Sequence, residues 1–396
     1  MRLRHLLPIA LAALIGPNPA RADEPAAFFP IMAWNAPPDD PAALRKMREC
    51  GINVAGFVRI EGLDRCRDAG LKAIVSDPRL DADWTQVDPA KVRGRIAEVV
   101  KQARDHPAVY GYYFRDEPSA ALFPGLRVAV DAVRELHPGA WPYINLLPTY
   151  ATPEQLGTPT YDAYLERFVA ECRPTTLSYD HYALMEGGTL RAGYFANLAA
   201  MRGAAVKHGL PFWNIVLSVA HFNYREPTAA DFRFQAYTSL AYGARGLAYF
   251  TYFGSTTGNY RMAPIDAFGH ETATWGWMRD VNLQVAQLAP TLLKLKSDRV
   301  YHFGEIPDGC AGPDDQSLVK AIAGPILVGD FTHEDGSRYI LVVNRSTTAS
   351  IPGLPQLRDP SLKLEKVSAY TGKVAPLAGE DVWLAPGQGA LLKLAR

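Results

Sequence analysis

The sequence has few cysteines, no excess of either charge and no hydrophobic run long enough to cross a membrane. Its 396 residues contain 41 Lys and Arg against 41 Asp and Glu, so the formal net charge is zero. A neutral chain is a poor match for nucleic acid or for an anionic membrane surface, and we expect neither as a partner. Hydrophobic residues make up 48% of the chain, which is enough for a large core and for more than one domain.

The four cysteines do not form a recognisable motif. They are Cys50, Cys66, Cys172 and Cys310, and none of their spacings is typical of a zinc site or a redox pair. We expect them to be small buried hydrophobic residues. A disulfide between Cys50 and Cys66 is the alternative, because both fall near the ends of helices that are predicted to be neighbours.

The first residues have the layout of a secretory signal peptide. Arg2 and Arg4 precede an apolar run over residues 6–15, and the Ala-Arg-Ala sequence that ends at Ala22 is a small-x-small cleavage site. The sequence therefore predicts a signal peptide over residues 1–22, cleaved after Ala22. The mature protein is expected to be periplasmic or secreted.

Short apolar segments alternate with segments of helical period from residue 28 to about residue 296. The apolar segments are FFPIMAWN (28–35), INVAGFV (52–58), KAIVSD (72–77), VYGYYFRDEP (109–118), PYINLLP (142–148), TTLSYDHY (175–182), PFWNIVLSVAH (211–221) and GLAYFTYFG (246–254). Eight such units predict an α/β fold, a (β/α)₈ TIM barrel over residues 23–297. A doubly wound sheet would need a Gly-rich phosphate loop after its first strand, and the sequence has none.

The remaining residues, 298–396, have a different pattern. Short alternating segments such as PILVGDFTH and RYILVVNRS are separated by turn sequences such as EDGS and PGQG. This pattern predicts a small antiparallel β-sandwich domain. Its aromatic residues are few, and we expect a structural role for this domain rather than glycan binding.

In a barrel of this kind, the C-terminal ends of the strands meet at one opening, and the active site forms there. Polar and aromatic residues stand at these ends of the predicted strands. Together they suit a sugar, because rings stack on pyranose faces while the polar groups hydrogen-bond the hydroxyls. We predict that the following residues bind a carbohydrate substrate: Asn35, Asp77, Arg115, Asp116, Asn145, Tyr179, His181, Tyr182, His221 and Tyr252.

Several of these residues also have a purely structural interpretation. Asp77 is followed by proline and fits an Asp-Pro turn, and His221 fits a core histidine whose hydrogen bonds are satisfied. Aromatic residues at these strand ends, Tyr252 among them, are more often part of the packing than of a binding site. The sequence shows no Cys/His cluster for a metal and no nucleophile elbow for an acyl-transfer serine. We therefore expect no metal and no cofactor.

Glu117 and Asp180 are the predicted catalytic carboxyl groups. Cleavage of a glycosidic bond needs one carboxyl group to protonate the leaving oxygen and another to attack the anomeric carbon or activate water. Glu117 is the predicted proton donor, because Asp116 and the neighbouring tyrosines would raise its pKa. Asp180 ends another buried strand in the same way. The alternatives are a buried ion-pair network around Arg115 and a structural Asp180 that caps the next loop.

The barrel, the trailing sandwich, the motif GYYFRDEP and the segment VWLAPGQGALLKL together resemble the clan A type of (β/α)₈ glycoside hydrolases, which includes bacterial β-galactosidases. The resemblance implies that Glu117 is the acid/base residue. The chain departs from the clan in two places: Asp116 stands where the clan has Asn, and SVAH stands where the strand-seven Glu is expected. Glu226 is the nearest substitute. Chitinase-like and α-galactosidase-like barrels use a strand-six carboxylate, so we prefer Asp180 as the partner of Glu117.

The sequence thus predicts an exported glycoside hydrolase that cleaves O-glycosidic bonds of a poly- or oligosaccharide. The alternative is a catalytically inactive carbohydrate-binding barrel, which the missing strand-seven Glu favours. A lyase or isomerase acting on a sugar acid ranks last, because it would need a metal cluster or a Lys base at the strand ends. The sugar, the linkage, the stereochemical outcome and the oligomeric state are not predicted.

Overall fold

The computed structural model of the chain describes residues 28–38, 40–379 and 383–396. The predicted signal peptide and its cleavage site after Ala22 lie outside the described residues. Within the described ranges, no helix is both long and apolar enough to cross a lipid bilayer.

Eight parallel strands form a barrel and follow one another in sequence order around it. A hydrogen bond of 2.8 Å from Leu146 N to Ser178 O joins the fifth strand to the sixth and closes the barrel. The strands are β1 (Ile31–Ala33), β2 (Val54–Val58), β3 (Lys72–Val75), β4 (Val109–Asp116), β5 (Trp141–Asn145), β6 (Leu177–Asp180), β7 (Phe212–Leu217) and β8 (Gly246–Phe250). The predicted (β/α)₈ barrel is confirmed.

Helices connect the strands and cover the outside of the barrel. Several begin where the sequence supplies a cap: the Asp40 carboxylate accepts hydrogen bonds from the first turn of the first helix, and Thr228 and Asp231 form a capping box. The helices are α1 (Pro41–Glu49), α2 (Leu63–Asp68), α3 (Pro89–Ala103), α4 (Phe123–Leu136), α5 (Pro153–Leu156), α6 (Tyr161–Cys172), α7 (Tyr194–His208), α8 (Ala229–Ala241) and α9 (Ala273–Leu292).

The inside of the barrel is filled by aromatic rings. The ring centroids of Trp34 and Phe57 are 4.7 Å apart, and those of Trp141 and Trp213 are 4.5 Å apart. Tyr143 lies between these pairs, with its centroid 5.8 Å from Trp34 and 4.3 Å from Trp141. These rings form a packed floor beneath the opening at the C-terminal ends of the strands, which we call the mouth.

The rest of the chain forms antiparallel sheets, as predicted. Six strands pair in one sheet, and two short two-stranded ribbons lie beside it. The large sheet contains β9 (Leu295–His302), β11 (Ile326–His333), β12 (Arg338–Asn344), β15 (Lys363–Val367), β16 (Val374–Pro376) and β18 (Gly389–Ala395). The ribbons pair β10 (Val319–Ala321) with β14 (Gln356–Leu357), and β13 (Ile351–Pro352) with β17 (Trp383–Leu384).

The two faces of the large sheet bury different partners. Along β12, Ile340 and Val342 belong to a core shared with the ribbons, whereas Leu341 and Val343 belong to the core shared with the barrel. This alternation follows from the two-residue period of a strand. The barrel side packs on α8 so closely that a Cβ on Gly329 would lie 2.3 Å from the backbone oxygen of Ala241. The sheet is therefore joined to the barrel by a continuous core.

The four cysteines, all of which lie in the described ranges, are free. Cys50, Cys66 and Cys172 are buried, and burial raises the pKa of the Cys50 and Cys172 thiols above their usual range. The expectation of buried cysteines holds for these three, and the alternative disulfide between Cys50 and Cys66 is not formed.

Candidate active site

The acidic motif lies where β4 ends at the mouth. Glu117 follows the last residue of β4 with φ +44°, in the left-handed region that residues other than glycine seldom adopt. Its backbone N–H donates to the backbone oxygen of Asn145 on β5, at 2.9 Å. Of the five non-glycine residues with positive φ in the described ranges, Glu117 directly follows β4, and Asn35 and Phe222 lie on the loops after β1 and β7. Strained backbone of this kind is concentrated at functional sites.

Asn145 joins two of the carboxyl groups. Its Nδ2 donates to Asp116 Oδ1 at 3.1 Å and to Asp180 Oδ1 at 2.8 Å. Its Oδ1 accepts a hydrogen bond of 2.9 Å from Ser178 Oγ. Three acidic residues from two strand ends are therefore gathered around one amide: Asp116 and its neighbour Glu117 on one side, and Asp180 on the other.

The electrostatics of these three groups are those of a crowded acidic site. Burial, followed by the charges of Glu117 and Asp116, raises the pKa of Asp180 well above its usual range. Loss of solvation and the charge of Asp116 raise the pKa of Glu117 to about 7, and loss of solvation raises the pKa of Asp116. Asp116 and Glu117 are exposed at the mouth. The surrounding walls of the mouth nevertheless displace part of the water that would solvate their carboxyl groups. At neutral pH the three groups cannot all be ionised without large cost.

A cavity of about 860 Å³ opens beside this cluster, between the ends of β1 to β4. Arg115 and Asp116 line it, whereas Glu117 and Asp180 do not, so the cavity adjoins the cluster rather than containing it. Asp77 also lines it but is held by its neighbour: its two oxygens accept hydrogen bonds of 2.8 Å and 2.7 Å from the Arg79 guanidinium. These hydrogen bonds lower the pKa of Asp77.

The opposite side of the mouth is built from rings at the ends of β6, β7 and β8. The Tyr182 ring lies 5.2 Å from Phe250, 5.7 Å from Tyr224 and 6.0 Å from His221, measured between centroids. His221 stacks on Tyr260 at 4.9 Å with an angle of 11° between the rings. We call these five residues the aromatic rim. Two predicted site residues, Tyr182 and His221, therefore lie together in it.

The other predicted residues lie in three different surroundings. Asn35, at the end of β1, has a buried Oδ1 without a hydrogen-bond partner in the described chain. His181 is fully buried, and its Nδ1 lies 3.0 Å from Asn197 Oδ1 on α7. Tyr179 and Tyr252 are buried in the core between the strands and the helices, where the Tyr252 hydroxyl accepts from Trp275 Nε1 at 2.9 Å. The structure does not bring Tyr179 and Tyr252 to the mouth.

Glu226, the alternative partner of Glu117, lies exposed on the loop after β7. Its Oε1 is 3.2 Å from Arg261 Nε, and Arg261 also pairs with Glu186 at 3.0 Å. These contacts give Glu226 a structural function on the loop surface. The charge that raises the pKa of Glu117 is that of Asp116, and Glu226 does not contribute to it.

The sequence analysis missed several residues beside the aromatic rim. The Arg191 guanidinium carbon lies 4.3 Å above the centre of the Tyr150 ring, and Arg191 Nη2 donates to the Tyr224 hydroxyl at 2.9 Å. Phe222 is 70% exposed, and its backbone N–H and C=O are both held by the Asn259 side chain, at 2.7 Å and 2.8 Å. The signal for Phe222 was present in HFNY (221–224), an aromatic-rich stretch on the loop after β7.

Among the described residues, no group of three or more His, Cys, Asp or Glu side chains is arranged to hold a metal ion. The site that the described residues form is therefore an acidic cluster, an adjoining cavity and a wall of aromatic rings.

The sequence matches no protein-family model and no curated protein. Solved structures do share its fold. A glycoside hydrolase family 5 protein from Bacteroides vulgatus aligns over 93% of this chain and 89% of its own, with a TM-score of 0.56 and 12% identity. A β-galactosidase from the haloarchaeon Halorubrum lacusprofundi aligns over 66% of this chain and 59% of its own, with a TM-score of 0.50 and 13% identity.

A β-galactosidase from the psychrophilic Marinomonas ef1 aligns with a TM-score of 0.49 and 12% identity, over 66% of this chain and 60% of its own. The chain thus spans 60% and 59% of the lengths of the two β-galactosidases. At these identities the likeness concerns the fold. The predicted resemblance to the barrels of clan A glycoside hydrolases is confirmed at that level, with the antiparallel sheet region after the barrel.

Proposed function

We propose that this protein is an exported glycoside hydrolase that cleaves O-glycosidic bonds of a poly- or oligosaccharide. The observation that carries the proposal is the cluster of Asp116, Glu117 and Asp180 at the mouth of a barrel that glycoside hydrolases share. Glycosidic cleavage by the usual route needs two carboxyl groups in one site, one protonated and one ionised. Fold alone does not determine function, so the proposal rests on this site.

Glu117 is the proposed proton donor to the leaving oxygen. A pKa of about 7 keeps a large share of this carboxyl protonated at neutral pH, and its position at the open mouth gives it access to a bound glycan. Asp180 is the proposed nucleophile or base. Its burial opposes ionisation, while the hydrogen bond from Asn145 favours the ionised form.

The sugar is proposed to lie between the acidic cluster and the aromatic rim. Tyr182 would form one wall, with the buried His221 packed behind it, and Arg115 and Asp116 would line the approach from the cavity. Aromatic faces and carboxylate acceptors are complementary to the C–H faces and hydroxyl groups of pyranose rings. Asn35, which has an unpartnered buried oxygen, is proposed as a further polar contact.

The experiment is a comparison of wild type, Glu117→Gln and Glu226→Gln on a panel of aryl glycosides and of plant and microbial polysaccharides. We expect wild type to release reducing ends from at least one member, and Glu117→Gln to lose roughly a hundred- to ten-thousandfold in kcat. Glu226→Gln is the matched control, because it also removes one carboxylate near the mouth, and it should keep its activity. Near wild-type rates for Glu117→Gln would remove Glu117 from the mechanism.

The second candidate is a carbohydrate-binding barrel without catalysis. It is favoured by the end of β7, where the chain has His221 and no Glu. Binding isotherms and product analysis on the same glycans separate the two functions, because a binder keeps its affinity and releases no reducing ends. Export is part of the main proposal, and the mass of the mature protein recovered from the periplasm or medium tests cleavage after Ala22.

A further inference from the structure

A chain of hydrogen bonds inside the barrel ends on the acidic cluster. The Tyr143 hydroxyl lies 3.2 Å from Ser178 Oγ, Ser178 Oγ donates to Asn145 Oδ1 at 2.9 Å, and Asn145 Nδ2 donates to Asp180 and Asp116. Tyr143 and Ser178 are fully buried, and Asn145 is 1% exposed. Because Ser178 gives its proton to Asn145, the Tyr143 hydroxyl is the donor in the first link.

This chain fixes the orientation of the Asn145 amide. Its Nδ2 donates to two carboxylates while its oxygen accepts from Ser178, and a flipped amide would instead set its oxygen against both carboxylate groups. Ser178 and Asp180 are two residues apart on β6 and therefore share a face. Both Nδ2 protons and the Oδ1 of Asn145 have protein partners, so its groups are committed within the chain.

Glu117 differs from the two aspartates in this respect. Both Asp116 and Asp180 accept a hydrogen bond from Asn145, whereas the Glu117 carboxyl accepts none from any described residue. Donated hydrogen bonds stabilise an ionised carboxylate and disfavour its protonated form. The Asn145 amide therefore stabilises the ionised form of both aspartates. At Asp180 this effect opposes burial, which stabilises the protonated form.

Other groups around the cluster offer little competing stabilisation. The Arg115 cation on β4 and the Glu117 backbone N–H also lower the pKa of Asp116, each less than the hydrogen bond from Asn145 does. Among the described residues, the other titratable groups whose charges interact with the cluster are tyrosines, each with a raised pKa and therefore neutral: Tyr113 on β4, Tyr143 on β5, Tyr150 after β5, Tyr161 and Tyr164 on α6, and Tyr179 and Tyr182 in and after β6.

We propose that Asn145, oriented by Ser178 and Tyr143, is a positioning residue that moves the proton shared by the cluster away from Asp116 and Asp180 and toward Glu117. The inference rests on the proposed function, since this distribution of charge is the one that a proton donor at Glu117 and a nucleophile or base at Asp180 require. It assigns Asn145 to the electrostatics of the site rather than to the sugar.

The experiment is an NMR titration of ¹³C-labelled Asp and Glu side chains, which needs no substrate. In Asn145→Leu, the apparent pKa values of Asp116 and Asp180 should rise by roughly one to two pH units, and that of Glu117 should fall. Ser178→Ala should give shifts of the same signs but smaller, and Tyr143→Phe the smallest. Assignments come from the Asp116→Asn, Glu117→Gln and Asp180→Asn proteins.

The opposite signs of these shifts separate the proposal from simple loosening of the fold. Water entering a loosened site would lower the pKa values of all three carboxyl groups. Asn214→Leu is the matched control: Asn214 is a fully buried β7 residue whose Nδ2 donates to Ser239, and its loss should leave the three titrations unchanged. Falling or unchanged aspartate pKa values in Asn145→Leu would overturn the proposal.

Ser178→Ala keeps the test decisive if Asn145→Leu does not fold, because absence of any shift in that variant would overturn the proposal as well. The titration also separates the inference from the proposed function. A protein that shows the predicted shifts but releases no reducing ends would support the inference and contradict the hydrolase. Hydrolysis that requires Glu117 without these shifts would do the reverse.

Discussion

Asp330 in the large sheet and Asp180 in the barrel are both buried carboxyl groups, but their surroundings differ. Asp330 has a donor for each of its oxygens: its Oδ1 accepts from the Tyr301 hydroxyl at 2.8 Å, and its Oδ2 accepts from the Leu318 backbone N–H at 3.0 Å. Burial raises its pKa to about 6. Each oxygen has its own donor, which is how a buried carboxylate is usually accommodated.

At the mouth, by contrast, three carboxyl groups stand near one amide, and its two protons go to Asp116 and Asp180. Asp180 has a donor on one oxygen, and Glu117 has none from the described chain. The comparison shows that a buried acid with a raised pKa is not by itself a site. The distinguishing feature is that the carboxyl groups at the mouth have too few hydrogen-bond donors from the protein. Because the mouth opens to solvent, a bound substrate can supply the remaining donors.

The largest expected effect follows from Asp180→Asn. We expect kcat to fall by roughly a hundred- to ten-thousandfold, because an amide can neither attack nor accept a proton, while the Asn145 hydrogen bond to the remaining oxygen can be kept. The measurement is hydrolysis of whichever glycan wild type cleaves. Asp330→Asn, the matched change in the sheet, should keep its rate, and an equal loss in both would contradict the distinction between the two regions.

The next effect concerns the sheet alone. Tyr301→Phe should lower the free energy of unfolding by about 1–3 kcal/mol, because it leaves Asp330 Oδ1 and the Val319 N–H buried without their partner. Denaturant titration measures this change. Tyr339→Phe is the control, because no hydrogen bond of the Tyr339 hydroxyl is seen in the described chain, and its stability should be close to wild type. Equal stabilities of the two variants would contradict a structural role for Asp330.

A smaller effect is expected in the pH dependence of stability. The folded-state pKa of Glu117 is about 7, against an ordinary value of 4.5. Between these values the folded state holds more protons than the unfolded state, so this group's contribution to stability is lost as pH rises through that window. Asp180, whose pKa is also raised, acts in the same direction.

Unfolding free energies measured from pH 4 to pH 8 test this sign. The difference between Glu117→Gln and wild type should grow in favour of the variant as pH rises, by on the order of 1 kcal/mol after allowance for solvent screening at the open mouth. Using the difference cancels the contributions of carboxylates elsewhere, Asp330 included. A difference that shrinks with rising pH would show that Glu117 is not destabilised by its surroundings.

The smallest effect is expected at Phe222. If the proposed function holds and the exposed ring stacks on a sugar face, Phe222→Ala should raise KM about two- to tenfold with kcat little changed. Tyr370→Ala in the sheet domain is the control, because Tyr370 is 72% exposed, close to the 70% of Phe222. A rise in KM from both changes would mean that exposed rings in the two regions act alike.

Much of the fold could be predicted because its signals are local. Runs of aromatic and β-branched residues mark each strand, and the topology of a parallel barrel then brings every strand end to one side. Glu117, Asp116 and Asp180 could be placed at one opening for this reason. The barrel topology alone predicts that these residues lie near one another, although it does not give the distances between them.

The parts that could not be predicted depend on which face of a strand each side chain is on and on the register in which neighbouring strands pair. Tyr179 stands between Ser178 and Asp180, whose side chains point to the opposite face, so it packs against the helices. The alternation of β6 would have indicated this once Asp180 was placed at the mouth. The function of Asn145 depends on its pairing with Asp116 across β4 and β5. Residues 29 positions apart in sequence give no local signal of that register.

The packed aromatic interior of the barrel determines the route by which a bound molecule enters and leaves. Trp34, Tyr143 and Trp213 belong to the packed cluster that occupies the axis beneath the mouth. In the part of the barrel that the structure describes, these packed rings close the barrel interior. A molecule bound at the mouth therefore leaves through the same opening by which it entered. If the proposed function holds, the rate of turnover on a long polysaccharide depends on how quickly the cleaved chain ends dissociate through that opening.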